Sequence, residues 1–426
     1  MHVLLFGLVL CLLAYPAAAL DEEHVYDRMI ALYAQDKGCD DAPEYPAWER
    51  RKVTNPGDGY VLRYSRFGCS LGARGALVPF PGRGEGSFEY YETAMDFIAR
   101  GLSPVHVVDH RGQGLSPRLL TDPHKGHVDR FEDYIDDALS FVGAVEQDLT
   151  GLGAGENVPL FLTSNSMGGA IAIGLFQRLG PDNPFRAAAF LGSMIQVNYH
   201  SFTGTPATWL NLRLYSETGA LLQARWRCSV ATLWNPQRCE DYAAASAAEG
   251  YRPGSRRFAE ESQALMTHSA ARYELRTYMM DSFDWSEIAA TEYAASEHWP
   301  GPQLGGATNG WVREAARFNR EMRQPENLRK MVHVPVMLLT GSEDLRAYRP
   351  YARWRHDPPD LSRHIAFCDA LNVESMDRTG RYVCQFVPLN GGYHELYKER
   401  DTERQNALDT VDWFFQTHPA APAEAN

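Results

Sequence analysis

The sequence predicts an α/β fold in which helices cover both faces of a mostly parallel sheet and a large, mainly helical cap is inserted between two strands. Short apolar runs alternate with segments of helical spacing, which is typical of parallel sheets. The alternation is interrupted once, over residues 197–331, where six of the nine tryptophans lie. With 426 residues, 44% hydrophobic and 22% charged, the chain can bury a large core, so disorder is excluded.

The apolar runs define the predicted strands, and the helices lie between them. The strands are expected at 60–66, 76–80, 105–108, 160–163, 187–191, 334–339 and 383–388, and the helices at 88–100, 131–149, 168–179 and 402–415. We therefore expect a core in two parts, 20–196 and 332–417, separated by the insertion 197–331. Residues 418–426 are rich in Ala and Pro and are expected to be disordered.

The first 20 residues contain no Lys, Arg, Asp or Glu and have the pattern of a signal peptide, with cleavage expected after Ala19. An uncleaved membrane anchor is the alternative, because a stretch of this length can span a bilayer. Cleavage predicts a secreted or periplasmic protein.

The charge of the chain argues against nucleic-acid binding. Lys and Arg total 41 against 54 Asp and Glu, which gives a net charge of −13, and the sequence contains no basic run.

Six of the seven cysteines follow the signal segment, and export permits disulfides. They fall into three neighbouring pairs along the chain, so the favoured set is Cys39 with Cys69, Cys228 with Cys239, and Cys368 with Cys384. Six cysteines allow 15 connectivities. The alternative is that several of these cysteines are buried free thiols. No Cys or His spacing suggests zinc, so neither a metal nor a cofactor is expected.

The candidate nucleophile is Ser166, in the segment Ser-Asn-Ser-Met-Gly between a predicted strand and a predicted helix. A serine in such a tight turn, called a nucleophile elbow, requires small residues on both sides because the strand and helix backbones approach closely. Gly168 meets this requirement. Ser164 stands where glycine is usual, which weakens the motif without removing its steric logic.

A serine nucleophile needs a base and an orienting acid, which follow it in chain order after later strands in this architecture. His394 follows the last predicted strand, and Asp344 follows the one before it; Glu343 is the rival acid. If each residue is considered separately, His394 is expected to be an ordinary histidine in a surface loop, and Asp344 is expected to be a helix N-cap. For the oxyanion, the expected donors are the backbone N–H groups of Met167 and Arg83, the latter in a glycine-rich loop after the strand at 76–80.

Further segments carry a resemblance to a known family. These are Asp109-His110-Arg111-Gly112-Gln113-Gly114, the stretch 119–137, Thr267-His268-Ser269 with Arg272-Tyr273, and Gly305-Gly306 with Trp311-Val312-Arg313-Glu314. Over about 60–415 the chain resembles the α/β-hydrolase branch of lysophospholipase L2 and monoacylglycerol lipase, the serine aminopeptidase S33-like group. The resemblance implies an α/β-hydrolase fold, a triad of Ser166, Asp344 and His394, and oxyanion donors at Arg83 and Met167. The 109–114 turn is expected to be structural.

The sequence therefore predicts a serine hydrolase that cleaves carboxylic esters of lipids, with a lysophospholipid or a monoacylglycerol as substrate. The insertion would bind the acyl chain and make transient contact with a membrane surface. The apolar residues expected to form its wall are Trp209, Leu210, Leu212, Leu214, Leu221, Leu222, Trp226 and Trp234. The alternatives are an esterase or thioesterase for small substrates, and a non-catalytic lipid-binding protein on the same scaffold.

Overall fold

The computed structural model describes residues 48–120, 122–155, 158–196, 266–281, 283–294, 307–344 and 361–418, together with 297, 299 and 301–305. Eight strands form one sheet in this part of the chain. In chain order they are β1 (Trp48–Thr54), β2 (Val61–Phe67), β3 (Gly75–Phe80), β4 (Leu102–Asp109), β5 (Leu160–Asn165), β6 (Phe185–Leu191), β7 (Val336–Gly341) and β8 (Cys384–Leu389).

The sheet is mostly parallel, as predicted. Its strand order is β1-β2-β4-β3-β5-β6-β7-β8; β2 pairs in antiparallel fashion with both β1 and β4, and the other pairs are parallel. Each predicted strand is present within a few residues of its expected bounds. The central strands β3, β4 and β5 are buried along their whole length, which explains why their sequences are mainly apolar. Their carboxyl ends share one edge of the sheet.

Helices cover both faces of the sheet. They are α1 (Tyr91–Ala99), α2 (Phe131–Gly151), α3 (Met167–Leu179), α4 (Ala270–Asp281), α5 (Ser286–Glu292), α6 (Asn309–Glu321), α7 (Pro325–Leu328), α8 (Ser362–Thr379) and α9 (Asp401–Gln416). The core of one face is built with α2, α3, α6 and α8, and the core of the other with α1, α4 and α9. Short 3₁₀ turns occur at Ser87–Tyr90, Gly180–Asp182, Arg329–Met331 and Leu396–Lys398.

Two elements were missed by the sequence analysis. Strand β1 reads Trp-Glu-Arg-Arg-Lys-Val-Thr, and its charged residues at the sheet edge hide the alternation expected of a strand. Helix α8 buries Phe367 and Leu371, but it also exposes Ile365 and Val373, so its apolar residues do not form a single stripe.

The described part of the insertion packs on the core through aromatic side chains. Trp285 lies with its ring centroid 5.1 Å from that of Phe88, and Tyr293 stacks on Trp299 at 4.4 Å. The indole N–H of Trp299 donates to the carbonyl of Gly114 at 2.9 Å. Residues 197–265 lie outside the described residues, as do all the leucines and tryptophans of the expected acyl-chain wall.

The predicted disulfide between Cys368 and Cys384 is confirmed, and it joins α8 to β8. Cys69 is also disulfide-bonded. Cys39, Cys228 and Cys239 lie outside the described residues, together with the signal segment and the tail from residue 419. In the part of the chain that is described, no helix has the length and apolar character needed to cross a membrane.

Candidate active site

Ser166 forms the turn between β5 and α3. Its backbone has φ 49° and ψ −112°, and within the described chain it is the one non-glycine residue with a positive φ. Such a conformation costs about 1–3 kcal/mol and persists only where the surrounding fold imposes it. A Cβ added at Gly168 would lie 2.1 Å from the carbonyl oxygen of Phe80. The elbow thus needs glycine at position 168, because α3 begins directly against the end of β3.

Ser164 occupies the other position where small size matters. It pairs with Phe80 of β3 and Phe190 of β6, and only 2% of it is exposed. The sheet therefore accommodates a hydroxymethyl group at this position, where the usual motif has glycine.

His394 and Asp344 meet at the same edge of the sheet. Asp344 follows β7 and is completely buried, and its Oδ2 atom lies 2.9 Å from Nδ1 of His394, which follows β8. The rival acid, Glu343, has a side chain that is 53% exposed, and its Oε2 lies 3.6 Å from Nε2 of His268. Of the two acids left open by the sequence, Asp344 is the one in hydrogen-bond contact with His394.

Backbone hydrogen bonds hold the acid loop against the histidine loop. The N–H of Ser342 donates to the carbonyl of Leu389 at 2.8 Å, and that of Glu343 donates to Gly392 at 3.0 Å. A Cβ added at Gly341 would lie 2.1 Å from the carbonyl oxygen of Gly392, so the two loops touch with no room for a side chain. This contact fixes the relative positions of the acid and the base.

Ser166 and His394 lie on either side of the turn that follows β6. The N–H of Ser166 donates to the carbonyl of Leu191 at 3.0 Å, and its own carbonyl accepts from Met194 at 2.8 Å. A Cβ added at Gly192, between those two partners, would lie 3.3 Å from Nδ1 of His394. The fold therefore brings the serine, the histidine and the acid together at one end of the sheet.

The loop after β3 approaches the elbow and carries Arg83. The guanidinium of Arg83 donates to the carbonyl of Gly305 in the insertion at 2.7 Å, and it lies 5.5 Å from the ring centroid of Trp311. Met167 is the first residue of α3, where a backbone N–H has no carbonyl partner within the helix. The structure thus places the two expected oxyanion donors on segments that flank the elbow.

The turn at 109–114 has the contacts of a structural element. Asp109 is completely buried and accepts hydrogen bonds from the N–H and the hydroxyl of Ser87. Burial raises the pKa of Asp109 to about 7 and lowers that of His110 to about 3. Arg111 forms a bidentate pair with Asp137, at 2.7 and 2.6 Å. These contacts anchor the turn to α2.

The sequence analysis missed the role of residues 266–272, which clamp the histidine loop. The carbonyl of Met266 accepts from the N–H of Glu395 at 2.8 Å. His268 lies 3.1 Å from the carboxylate of Glu399 and stacks on Tyr393, with ring centroids 3.5 Å apart. His268 belongs to one of the segments that carry the family resemblance, but nothing in the sequence spacing reveals which loop it contacts.

The sequence analysis also missed His364 of α8, a buried histidine close to the site. Its Nε2 lies 2.9 Å from the carbonyl oxygen of Ser193, in the turn after β6. Burial lowers the pKa of His364, although the Ser193 carbonyl and the charge of Asp344 act in the opposite direction. The sequence did not predict the helix that carries it, so no sequence signal linked it to the triad loops.

Comparison with known proteins identifies the family of this chain. The family model described as Serine aminopeptidase, S33 (Hydrolase_4) matches residues 72–401. The chain belongs to this family. The match runs from the segment before β3 to the start of α9, so it includes Ser166, Asp344 and His394.

Among curated relatives, Lysophospholipase L2 of Escherichia coli (strain K12) is 27% identical over 368 residues, which is 85% of this chain and 86% of that protein. A Probable lysophospholipase L2 of Haemophilus influenzae is 39% identical over 72 residues, 17% of this chain and 22% of that protein. A soluble variant of monoglyceride lipase from Saccharomyces cerevisiae, solved with a substrate analogue, has a TM-score of 0.54 at 13% identity, covering 89% of this chain and 96% of that one. The chain therefore has the α/β-hydrolase fold.

Proposed function

We propose that this protein is a serine hydrolase that cleaves carboxylic esters of lipids through an acyl-enzyme on Ser166. The observation that carries the proposal is the buried hydrogen bond between Asp344 and His394, next to a serine held at positive φ. An acid, a histidine and a serine in this order around an elbow are the parts that acyl transfer requires.

In the first half of the reaction, the hydroxyl of Ser166 attacks the ester carbonyl while Nε2 of His394 takes its proton. Asp344 accepts from Nδ1–H, which orients the ring and stabilises the imidazolium. The N–H groups of Arg83 and Met167 would donate to the oxyanion. The tetrahedral intermediate then breaks its bond to the leaving alcohol, and His394 gives that alcohol its proton.

In the second half, water attacks the acyl-serine while His394 again takes a proton. The new tetrahedral intermediate expels the oxygen of Ser166, which regains its proton from His394, and the fatty acid leaves. The sum is ester plus water giving acid plus alcohol. The residues named for the first half supply every proton transfer, so the scheme requires no metal or cofactor.

The lipid substrate is supported by Lysophospholipase L2 of Escherichia coli, which aligns with 85% of this chain. We assign the ester of a lysophospholipid or a monoacylglycerol to this protein on that basis. The insertion 197–331 would supply the apolar surface for the acyl chain and a transient contact with the membrane. A disulfide is compatible with an oxidising compartment, and we place the protein in the periplasm or outside the cell after cleavage of residues 1–19.

The experiment compares the wild type with Ser166→Ala on monoacylglycerol and lysophosphatidylcholine. We expect Ser166→Ala to lose hydrolysis by roughly 10³-fold or more while keeping its circular dichroism spectrum and melting temperature, because no other group can form the acyl-enzyme. A fluorophosphonate probe should label the wild type and leave the variant unlabelled. Near-normal turnover by the variant would reject Ser166 as the nucleophile. A wild type that binds these lipids without cleaving them would instead identify a non-catalytic binding protein.

A further inference from the structure

Glu85 lies in the loop after β3, and its buried carboxylate accepts hydrogen bonds from three separate segments. Only 2% of this residue is exposed. It accepts from the backbone N–H of Gly82, from Nδ2 of Asn165 at 2.8 Å and from the hydroxyl of Tyr90 at 2.8 Å. Nζ of Lys398 donates to it at 3.2 Å. One side chain thus satisfies four donors.

Three of these donors are near neighbours of the groups that the proposed reaction uses. Gly82 precedes Arg83, whose N–H is an expected oxyanion donor. Asn165 precedes Ser166. Lys398 lies in the loop that follows His394. Glu85 therefore links the oxyanion loop, the elbow and the histidine loop.

The amide of Gln113 holds the same loop from its other side. Its Nε2 donates to the carbonyls of Gly82 at 2.7 Å and Glu85 at 3.1 Å, while its Oε1 accepts from the N–H of Gly84 at 3.2 Å. The loop is thus clamped through its backbone as well as through the Glu85 carboxylate, which leaves the N–H of Arg83 between fixed neighbours.

The Glu85 carboxylate stays charged although it is buried. Burial by itself raises its pKa, but the positive charge of Lys398, the N–H of Gly82 and the charge of Arg276 outweigh that effect and lower the pKa to about 2. A charged acceptor makes shorter and stronger hydrogen bonds than a neutral one, so the loop is held firmly at neutral pH.

The insertion reaches this cluster through Arg276 of α4. Its Nη2 donates to the carbonyl of Gly84 at 3.1 Å, and its Nε lies 3.1 Å from Oε2 of Glu89. The same Glu89 oxygen accepts from Lys398 at 2.6 Å. The oxyanion loop is therefore tied to the insertion on one side and to the histidine loop on the other.

We propose that Glu85 is a positioning residue whose carboxylate holds the loop at Gly82–Gly84 where the N–H of Arg83 stabilises the oxyanion. This inference rests on the proposed function. It assigns Glu85 an effect on the transition state that acts through the backbone of its neighbours, without contact between Glu85 and the substrate.

The test is Glu85→Gln, which keeps the shape of the side chain but replaces one acceptor oxygen by a donor. On a soluble p-nitrophenyl ester we expect kcat to fall about 30- to 100-fold with KM changed less than about threefold, since loss of one oxyanion donor costs about 10²–10³-fold. A trifluoromethyl ketone mimics the tetrahedral intermediate, so its inhibition constant should rise by the same factor as kcat/KM falls. An unchanged kcat in folded protein would overturn the inference, and so would an inhibition constant that does not follow kcat/KM.

The matched control is Asp148→Asn, which also removes the charge of a carboxylate with several basic partners. Asp148 contacts Arg66 and His106 in β2 and β4. This variant should lose stability in urea unfolding while keeping wild-type kcat and inhibition constant. If it lost activity as Glu85→Gln does, the effect would be one of general stability and the positioning role would be rejected.

Two further variants keep the inference testable if Glu85→Gln does not fold. The double variant Glu85→Gln with Lys398→Met removes one charge of each sign, and Tyr90→Phe removes a single donor. We expect a large loss of kcat in the double variant and a two- to tenfold loss in Tyr90→Phe; wild-type kcat in both would overturn the inference.

These variants and Glu85→Gln are each compared with Ser166→Ala, which tests the proposed function separately. An active Ser166→Ala rejects the proposed function, whereas an inactive Ser166→Ala beside an unaffected Glu85→Gln rejects only the positioning role.

Discussion

Oδ2 of Asp344 lies 2.9 Å from Nδ1 of His394, while the neighbouring Glu343 has a side chain that is more than half exposed. Two adjacent acids therefore have opposite environments, one completely buried against the imidazole and the other facing solvent. This difference allows the acid of the triad to be tested by a matched pair of variants.

Asp344→Asn should lower kcat by roughly 10⁴-fold, because the amide favours the wrong tautomer of His394. Glu343→Gln, which makes the same chemical change one residue earlier, should keep kcat within about twofold. Steady-state kinetics on a p-nitrophenyl ester, with circular dichroism to confirm folding, gives both numbers. The acid would be misassigned if Glu343→Gln were the damaging change.

The acyl-chain preference separates a lipid hydrolase from an esterase for small substrates. Each buried methylene contributes about 0.8 kcal/mol, so an apolar wall in the insertion should make kcat/KM rise from acetyl to octanoyl and longer p-nitrophenyl esters. The measurement is made below the micelle concentration of each ester. A maximum at acetyl or butyryl would reject the lipid assignment and favour the small-ester esterase.

The disulfide between Cys368 and Cys384 should stabilise the folded state. Their separation of 16 residues gives a loop whose closure contributes about 3 kcal/mol in the chain-entropy model. Replacing both cysteines by serine should lower the free energy of unfolding in urea by that amount. Mass spectrometry of an unreduced digest should find the two cysteines in one linked peptide, and free thiols at both positions in exported protein would contradict the pairing.

Stability should depend on the ionisation of Asp109. In the folded chain burial raises its pKa to about 7, against 3.8 for the exposed group, so the native state holds the proton more tightly than the unfolded state. Its contribution is therefore largest below pH 4 and is lost as the pH rises towards 7. Asp109→Asn should thus become more stable relative to the wild type between pH 5 and 8, by about 3 kcal/mol over that range.

The control for this measurement is Asp58→Asn. The hydrogen bond from Arg111 lowers the pKa of Asp58, so this carboxyl is charged in both states throughout that pH range. The difference between Asp58→Asn and the wild type should stay constant from pH 5 to 8. A constant difference for Asp109→Asn as well would show that Asp109 is ionised in the folded chain.

The sequence predicted those parts of the fold that are buried among apolar groups on every side. Runs such as those of β3 and β5 are buried throughout, so composition alone marks them as strands. The same holds for the elbow, because only a residue without a side chain fits at Gly168. The requirement leaves a local mark in the sequence, a glycine two residues after the serine, although the carbonyl that imposes it belongs to the distant Phe80.

Glu85 and Lys398 could not be found in the same way. A charged residue in a sequence indicates a solvated surface, and these two are buried because each meets polar partners from distant segments, including the other across more than 300 positions of chain. His268 is similar, since its partners Glu399 and Tyr393 follow it by more than 120 residues. Such pairings depend on the tertiary structure and have no periodicity in the sequence.

The positive φ of Ser166 affects how selection acts on substitutions at this position. Glycine adopts φ 49° without the steric cost that serine pays there. A change of Ser166 to glycine would therefore relieve strain and yield a chain that folds at least as well while lacking its nucleophile. Quality control in the cell, which detects unfolded chains, would not remove such a variant, so only the benefit of the reaction to the organism can keep the serine in place.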